Sequence, residues 1–338
     1  MQASIRSALN ILHTIGLRAL IALGPAACLL GVTSAMAQTY PSKPVRLVIP
    51  FAPGGASDIT ARAIQEALGR ALGQTLILEN KPGAGSSLGV AEVARVTPDG
   101  YTFLIASQSG IIVNPIINAN VGYVVERDLI PVTQLTRAPL VVAVHPSLPV
   151  RSMGELIAVA KKTAGKLNYA TSGNGSVPHL ATVIFSGLTG VDMVHVPYKS
   201  GGLAVTSVVA NDTHLTFATS PSVMPMVTAG KLRGIAVTTK DRSPLVPDLP
   251  GMAESKVAGF DLSIWYGFFL PARTPQPVVA RLFEASSKAI ADAKFKSIMG
   301  RDGTETVGSR TPAEFAQLIR EEASLTAKAI KESGAKFE

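Results

Sequence analysis

The sequence predicts an α/β protein of two lobes, with parallel or mixed sheets flanked by helices and a ligand cleft between the lobes. Three observations predict this fold. Strand-like apolar runs alternate with helix-like segments from residue 45 onward. The alternation occurs twice, over residues 45–106 and again over residues 140–238. Two apolar strand-like segments, at residues 135–144 and 262–270, then join the two halves.

The first half has the order β-α-β-α-β, which favours a parallel sheet with right-handed crossovers. Its first helix has apolar residues at Ile59, Ala63, Ala67 and Ala71, a spacing typical of one buried helical face. In chain order we expect a strand at 45–51, a helix at 56–72, a strand at 75–78, a helix at 87–96 and a strand at 102–106.

The second half repeats the scheme. Ser152 and Glu155 form a capping box for a helix that runs to about residue 164. Thr311 as N-cap and Pro312 at the first helical position open the last helix. The other expected elements are strands at 140–145, 168–170, 194–197, 213–216 and 234–238, an apolar run at 264–270, and helices at 178–189, 202–209, 277–293 and 311–333.

The order of these elements predicts where the chain passes between lobes. Residues 38–142 together with 262–338 are expected to form the first lobe, and residues 143–261 the second. Ligands of open α/β sheets bind beyond the carboxyl ends of strands. A cleft between the lobes that closes by hinge motion is therefore expected.

Residues 1–37 are predicted to be a cleavable secretory signal peptide. Arg6 and Arg18 give it positive charge, residues 19–32 are apolar, and small residues at 34–37 place the cleavage after Ala37. The apolar stretch is too short to span a bilayer. The sole cysteine, Cys28, lies inside this leader, and Pro25 disfavours a lipoprotein cleavage site before it. A mature chain without cysteine suits a bacterial periplasm.

Composition narrows the classes of partner. The formal net charge is +8, and removing the two arginines of the leader leaves about +6. The basic residues are scattered and aromatic residues make up 5% of the chain, so nucleic acid is not an expected partner. The five histidines show no metal-binding spacing. We therefore expect neither a metal nor a cofactor.

Three glycine-bearing loops, at 52–58, 80–85 and 171–176, each lead into a predicted helix. The start of a helix presents unpaired backbone N–H groups and a partial positive charge, and it can bind an anion. If the three loops converge, they form a receptor for a small anion.

The candidate ligand-binding residues come from these loops, from the end of the strand at 102–106, and from the helix after residue 176. Gly54 and Gly55 let a ligand approach the backbone closely. Asp58 either caps its helix or contacts the ligand, and His179 either contacts the ligand or satisfies its own loop. Trp265 and Tyr266 either wall the cleft or pack the hinge. The full candidate set is Phe51, Ala52, Gly54, Gly55, Ser57, Asp58, Gly85, Ser86, Ser107, Gln108, Gly173, Asn174, Gly175, Ser176 and His179.

Several strings together resemble one family. They are PVRLVIPFAPGGASD at 44–58, ENKPGAG at 79–85, TPDGY at 97–101, NYATSGNGS at 168–176, HVPYK at 195–199, AGKLR at 229–233 and RSP at 242–244. In order and spacing they resemble the solute-binding proteins of tripartite tricarboxylate transporters, the Bug or TctC family, over the whole mature chain.

The resemblance implies a periplasmic binding protein of type II-like architecture. Such a protein holds small carboxylates by loop amides and water and delivers them to two integral membrane subunits of a transporter. The chain departs from the family pattern at 217–218, where Phe-Ala stands for Phe-Asp, at 210–211, where Ala-Asn stands for Gly-Gly, and at Val177-Pro178. These departures leave the ligand open among tricarboxylates, dicarboxylates, amino acids and aromatic acids.

We therefore expect a monomeric, non-enzymatic solute-binding protein. A periplasmic sensor that feeds a two-component system through a histidine kinase is the first alternative. A secreted serine hydrolase is the second, because residues 85–89 match the pattern G-x-S-x-G around Ser87. A loose dinucleotide fingerprint at 83–89 lacks the acidic residue that would support it.

Overall fold

In the computed structural model, which describes residues 40–334 and Phe337, the strands join into one continuous mixed sheet. The predicted signal peptide and its cleavage site lie outside the described residues. The strands are β1 Val45–Ile49, β2 Leu76–Asn80, β3 Thr102–Ser107, β4 Leu129–Val144, β5 Asn168–Thr171, β6 Val194–Pro197, β7 Leu215–Thr219, β8 Arg233–Val237, β9 Ser263–Pro271 and β10 Glu305–Thr306.

Helices cover the sheet. They are α1 Ala56–Leu72, α2 Ser87–Val93, α3 Asn114–Ile117, α4 Val125–Asp128, α5 Met153–Lys162, α6 Val177–Thr189, α7 Gly201–Val209, α8 Ser220–Thr228, α9 Gln276–Ile290, α10 Ala293–Arg301 and α11 Pro312–Ser333. A 3-10 turn at Ala84–Ser86 precedes α2, and a π-helical turn at Ser109–Val113 precedes α3. Within the described residues, no helix is both long enough and apolar enough to cross a membrane.

The two lobes have the same strand arrangement. In the first lobe the order is β2-β1-β3-β9, and in the second it is β6-β5-β7-β4. In each lobe three parallel strands are followed by one antiparallel strand, with the first strand of the lobe in the middle. The first two loops of each lobe therefore leave the same edge of its sheet, which is where ligands of such sheets bind.

Strand β4 belongs to both lobes and joins them. Residues Leu129–Pro139 pair with β9, and residues from Leu140 onward pair with β7 and β8. Most of this strand is buried, and its second half, residues 138–144, is continuously apolar, as a central strand requires. Strand β9 enters the first lobe at Ser263, opposite Pro139. The hinge thus lies where β4 and β9 pass between the lobes.

The predicted elements are present in the predicted order, with differences at the ends and, among the described residues, with four additional helices (α3, α4, α8 and α10) and the additional strand β10. Helix α2 stops at Val93 rather than at residue 96, and β2 runs two residues beyond its predicted end. Helix α10 was not predicted. It forms because the Asp292 carboxylate caps a new helix by accepting the N–H groups of Lys294 and Phe295. Helix α8, which starts directly after β7, was also not predicted.

Aromatic packing answers the question left open for the second crossover. Trp265 is fully buried and its ring lies 5.1 Å from that of Phe315 on α11. Its neighbour on the strand, Tyr266, points to the opposite face. Trp265 therefore packs the core next to the hinge, whereas Tyr266 walls the cleft.

Candidate ligand-binding cleft

Four loops meet across the cleft, two from each lobe. The loop after β1 lies against the loop after β6, and a Cβ added to Gly202 would lie 2.5 Å from the Gly54 carbonyl oxygen. The loop after β2 lies against the loop after β5, and a Cβ added to Gly85 would lie 1.9 Å from the Asn174 carbonyl oxygen. Backbone thus touches backbone at both contacts, and only glycine permits this closed arrangement.

Asn114, at the start of α3, stabilises the contact between the loop after β2 and the loop after β5. Its Nδ2 donates to the carbonyl oxygens of Ser109 at 2.8 Å, Gly85 at 2.9 Å and, across the cleft, Gly175 at 3.4 Å. The Val177 N–H of the second lobe donates to Ser109 Oγ at 3.0 Å. The structure is therefore a closed state held by hydrogen bonds between the lobes.

The loop at 51–58 takes its shape from Asp58. This buried carboxylate accepts the Gly54 N–H at 3.0 Å, Arg62 Nε at 2.9 Å and Asn80 Nδ2 at 3.1 Å. Burial raises the pKa of Asp58, but the hydrogen bonds from Arg62, Gly54 and Asn80 outweigh it and lower the pKa. Asp58 is thus ionised and paired within its own lobe, where it shapes the loop.

The loop at 83–86 has four consecutive residues in left-handed or related conformations. The φ angles are +145° at Gly83, +45° at Ala84, +58° at Gly85 and +92° at Ser86. Such φ angles cost free energy in residues other than glycine, and backbone strain of this kind is concentrated at functional sites. The turn carries the chain sharply from β2 into α2 and brings Gly85 up to the second lobe.

Helix α1 offers free donors at its start. The N–H groups of Ala56 and Ser57 precede the first intrahelical hydrogen bond, which Ile59 donates to Gly55. The hydroxyl of Ser57 is buried, and within the described residues its oxygen has no hydrogen-bond partner. Leaving such a group unsatisfied costs roughly 1–3 kcal/mol, so a partner from outside the chain would stabilise it.

The start of α6, in contrast, uses its donors within the protein. Ser176 Oγ caps the helix by accepting the His179 N–H, and the Val177 N–H goes to Ser109 Oγ. Pro178 has no N–H to offer. The Gly175 N–H donates to the ring Nδ1 of His179 at 3.3 Å. In the closed state the loop at 171–176 therefore shapes the cleft, whereas the start of α1 supplies the hydrogen-bond donors.

A small cavity of about 20 Å³ remains between the lobes. This is room for about one water molecule. Residues from the starts of α1, α6, α7 and α8 line it, so four helix N-termini face one point. Within the described residues none of the side chains that line it is charged. The lining residues are Phe51, Gly55, Ala56, Ser57, Ser109, Ser172, Pro178, Gly201, Thr219, Ile264 and Tyr266.

His179 lies behind its loop. Its ring stacks on that of His195 at 4.0 Å, and the Phe337 ring meets it edge-on at 5.2 Å. Burial, with a smaller contribution from His195, lowers the pKa of His179 to about 3, and burial lowers the pKa of His195 to about 4. Both rings are thus neutral near pH 7, and His179 acts as an acceptor for the Gly175 N–H.

Among the remaining candidate residues, one takes part in a contact between the lobes, whereas others bond within the first lobe. Ala52 donates its N–H to the Lys199 carbonyl oxygen at 3.0 Å, which links the lobes. Ser107 Oγ accepts the Ser109 N–H at 3.3 Å. Gln108 points away from the small cavity, and its amide bonds to β9 through the Ser263 carbonyl oxygen at 3.0 Å.

Sequence reasoning missed part of the cleft. Asn114 follows β3 in an apolar stretch without a motif, so no local signal marks it. Ser109 belongs to the polar segment Ser107-Gln108-Ser109 at the end of that strand, which did indicate polar groups for the cleft. Ser200 and Gly201 did carry a signal, because they repeat the pattern of a glycine-bearing loop that opens a helix with a capping serine. Ser200 Oγ accepts the Leu203 N–H and caps α7.

The surroundings of Ser87 bear on the serine-hydrolase alternative. Ser87 is buried at the start of α2, and within the described residues its hydroxyl makes no hydrogen bond to a histidine. In the same part of the chain, no group of three His, Cys, Asp or Glu residues is placed to hold a metal ion.

Comparison with known proteins agrees with this geometry. The family model described as the tripartite tricarboxylate transporter family receptor matches residues 60–335. The structure of the periplasmic binding protein BugD is 32% identical, with a TM-score of 0.84 over 88% of this chain and 100% of that one. Rpa4515 of R. palustris with adipate is 31% identical, with a TM-score of 0.84 over 88% of this chain and 99% of that one.

A third structure is MatC from Rhodopseudomonas palustris with bound malate. It is 29% identical, with a TM-score of 0.83 over 86% of this chain and 100% of that one. The family match spans most of the chain, and these structures share its two-lobed fold. The chain therefore belongs to the tripartite tricarboxylate transporter receptors, the TctC or Bug family of periplasmic binding proteins.

Proposed function

We propose that this protein captures a small carboxylate between its lobes in the periplasm and delivers it to the membrane subunits of a tripartite tricarboxylate-type transporter. The observation that carries the proposal is the start of α1. The Ala56 and Ser57 N–H groups and the Ser57 hydroxyl, which has no partner among the described residues, lie at a cavity where three further helices also begin. Helix N-termini favour negative charge, and no metal or basic side chain is needed.

Known relatives support a carboxylate ligand. Their structures hold adipate in one case and malate in another. Hydrogen bonds to a charged acceptor contribute about 1.5–3 kcal/mol each. Three or four of them, reduced by the cost of ordering the ligand and the loops, give binding in the micromolar range.

Capture requires a hinge motion. A cavity of about 20 Å³ is too small for a dicarboxylate, so the lobes must open to admit one and then close around it in a wider cavity, with the contact between the loops of Gly85 and Asn174 kept. The contacts between the lobes are few hydrogen bonds and glycine contacts, and β4 and β9 provide the hinge. Opening would also release the Val177 N–H from Ser109, which adds one donor from the second lobe.

The other parts of the proposal follow from the sequence. A signal peptide cleaved after Ala37 delivers the chain to the periplasm, lobe boundaries lie near residues 142 and 262, and the mature protein acts as a monomer. The description of the family as transporter receptors favours delivery to a transporter over signalling through a kinase.

A thermal-shift screen of the chain from Gln38 onward tests the proposal. The panel contains mono-, di- and tricarboxylates, each with its amide. A ligand stabilises by mass action, so a saturable rise with one acid and none with its amide is expected. A rise with uncharged compounds alone would contradict the carboxylate.

Ser57→Ala sharpens the test. We expect it to weaken binding of that acid by about tenfold, because one charge-assisted hydrogen bond is lost. The same variant should leave the ligand-free protein as stable as before or more stable, since an unsatisfied buried hydroxyl disappears. Ser87→Ala is the matched control, because Ser87 is also a buried serine in the first turn of a helix but does not line the cavity.

A further inference from the structure

A groove of about 840 Å³ lies behind the hinge. Along β9, Ile264 and Tyr266 line the cleft cavity, whereas Ser263 lines the groove. Because successive side chains of a strand point to opposite faces, cleft and groove lie on opposite faces of the crossover strands. The cleft is thus closed on one face while a wide space stands open on the other.

Both lobes line this space, which we call the hinge groove. Leu180 and Ile184 of α6 face it from the second lobe, and Thr326 and Ala329 of α11 face it from the first. The spacings of four and three residues put each pair on one side of its helix. A change in the angle between the lobes must therefore change the width of the hinge groove.

The floor of the hinge groove is fixed to α11. Glu322 accepts hydrogen bonds from an Arg137 guanidinium nitrogen on β4, from Trp265 Nε1 on β9 at 2.6 Å, and from Gln108 Nε2 at 3.2 Å. Gln108 Oε1 in turn accepts the Trp265 N–H at 2.9 Å. These hydrogen bonds fix helix α11 to both crossover strands at Glu322, and near its end the Ser333 backbone packs against Gly187 of α6.

Helix α6 is the wall that moves. Its first residue, Val177, holds the closed cleft through Ser109, and Leu180 and Ile184 follow on the same helix into the hinge groove. When the second lobe swings away from the first on the cleft side, its opposite side swings toward the first lobe. We propose that opening the cleft narrows the hinge groove, so that side chains there set the affinity of the cleft without touching its ligand.

The link to affinity rests on the proposed function and follows from population shift. When only the closed state holds the ligand firmly, the apparent dissociation constant rises as the closed fraction falls. A protein that is closed about one-tenth of the time would thus gain up to about tenfold in affinity if the open state were made inaccessible.

Filling the hinge groove tests the proposal. Thr326→Trp and Ala329→Trp add bulk on the groove side of α11, and Ala327→Trp adds the same bulk on an exposed position of the same helix outside the groove. The radius of gyration of each ligand-free variant is measured by small-angle X-ray scattering, and the dissociation constant by calorimetry with the acid found in the thermal-shift panel.

We expect the two groove variants to have a smaller radius of gyration and a dissociation constant three- to tenfold lower than the Ala327→Trp control. Leu325→Ala removes an exposed groove side chain that the folded core does not need, and it should shift both quantities the other way. Groove variants equal to the control, or more open than it, would overturn the proposal. Scattering needs no ligand, so the hinge groove can be tested even if no carboxylate binds.

Discussion

Replacing Gly85 by alanine separates closure of the cleft from folding. Gly85 has a φ of +58°, and its added Cβ would lie 1.9 Å from the Asn174 carbonyl oxygen of the other lobe. A real Cβ contact needs more than 3.0 Å, so the two loops must move apart by over an ångström. The contact between the added Cβ and Asn174 exists only in the closed state. The unfavourable left-handed backbone of alanine at this position, in contrast, destabilises the open and the closed state alike.

The size of the effect follows from what is lost. Separating these loops breaks the hydrogen bond that Asn114 makes across the cleft to Gly175. At about 1 kcal/mol for this bond, the dissociation constant rises roughly fivefold. The left-handed conformation costs the fold a further 1–2 kcal/mol or so.

Gly73→Ala is the matched control. Gly73 ends α1 with a φ of +76°, and nothing lies within 4 Å of its added Cβ. Both variants should lose similar stability in chemical denaturation, but only Gly85→Ala should lose affinity in calorimetry. Equal dissociation constants for the two variants, within a factor of two, would show that the closed contact at Gly85 has no part in binding.

Three further outcomes are expected. Asn114→Ala should weaken ligand binding by about tenfold in calorimetry, since its side chain is the donor that bridges the two glycine loops; unchanged affinity would contradict that role. The unfolding free energy should fall as the pH falls from 6.5 toward 4, by about 1.4 kcal/mol per pH unit for each of His179 and His195, because the unfolded chain binds protons that the buried rings do not. In chemical denaturation at a series of pH values, a His195→Gln variant should show a shallower dependence of this free energy on pH. An identical slope would refute this expectation. Asp58→Asn should lower the unfolding free energy by about 2 kcal/mol at pH 7, because the new amide group faces hydrogen-bond donors from Gly54 and Arg62. The difference in unfolding free energy from the parent protein should shrink as the pH falls below the usual carboxyl pKa. A difference that stays constant with pH would argue against an ionised Asp58.

The fold could be predicted from sequence because its signals are local. The apolar runs of β4 and β9 marked the two crossovers, and capping residues such as Ser152 and Thr311 marked helix starts that the structure confirms. Helix α8 escaped prediction because Pro221 and Pro225 stand inside it, where proline usually argues against a helix.

The site could be predicted only within each lobe. The loops at 52–58, 80–85 and 171–176 converge as expected, since each leaves the carboxyl end of a parallel strand. A contact between the lobes involves two segments that are far apart in the sequence, so neither segment by itself indicates the contact. The expectation that a ligand approaches the backbone at Gly54 stays a prediction, and the φ of +82° there favours glycine; across the cleft, an added Cβ on Gly202 would lie 2.5 Å from the Gly54 carbonyl oxygen.

The same distinction bears on what selects the ligand. Of the three departures from the family pattern, Ala218 lies buried in β7 opposite Val141, and Asn211 lies in the turn after α7. Pro178 alone among them lines the cleft cavity. A proline there removes one N–H from the start of α6, whose neighbouring donors are already used, while α1 keeps its own. The two ends of the cleft thus differ in hydrogen-bond donors, and on the proposed function we expect a ligand whose carboxylate faces α1 and whose other end needs fewer donors.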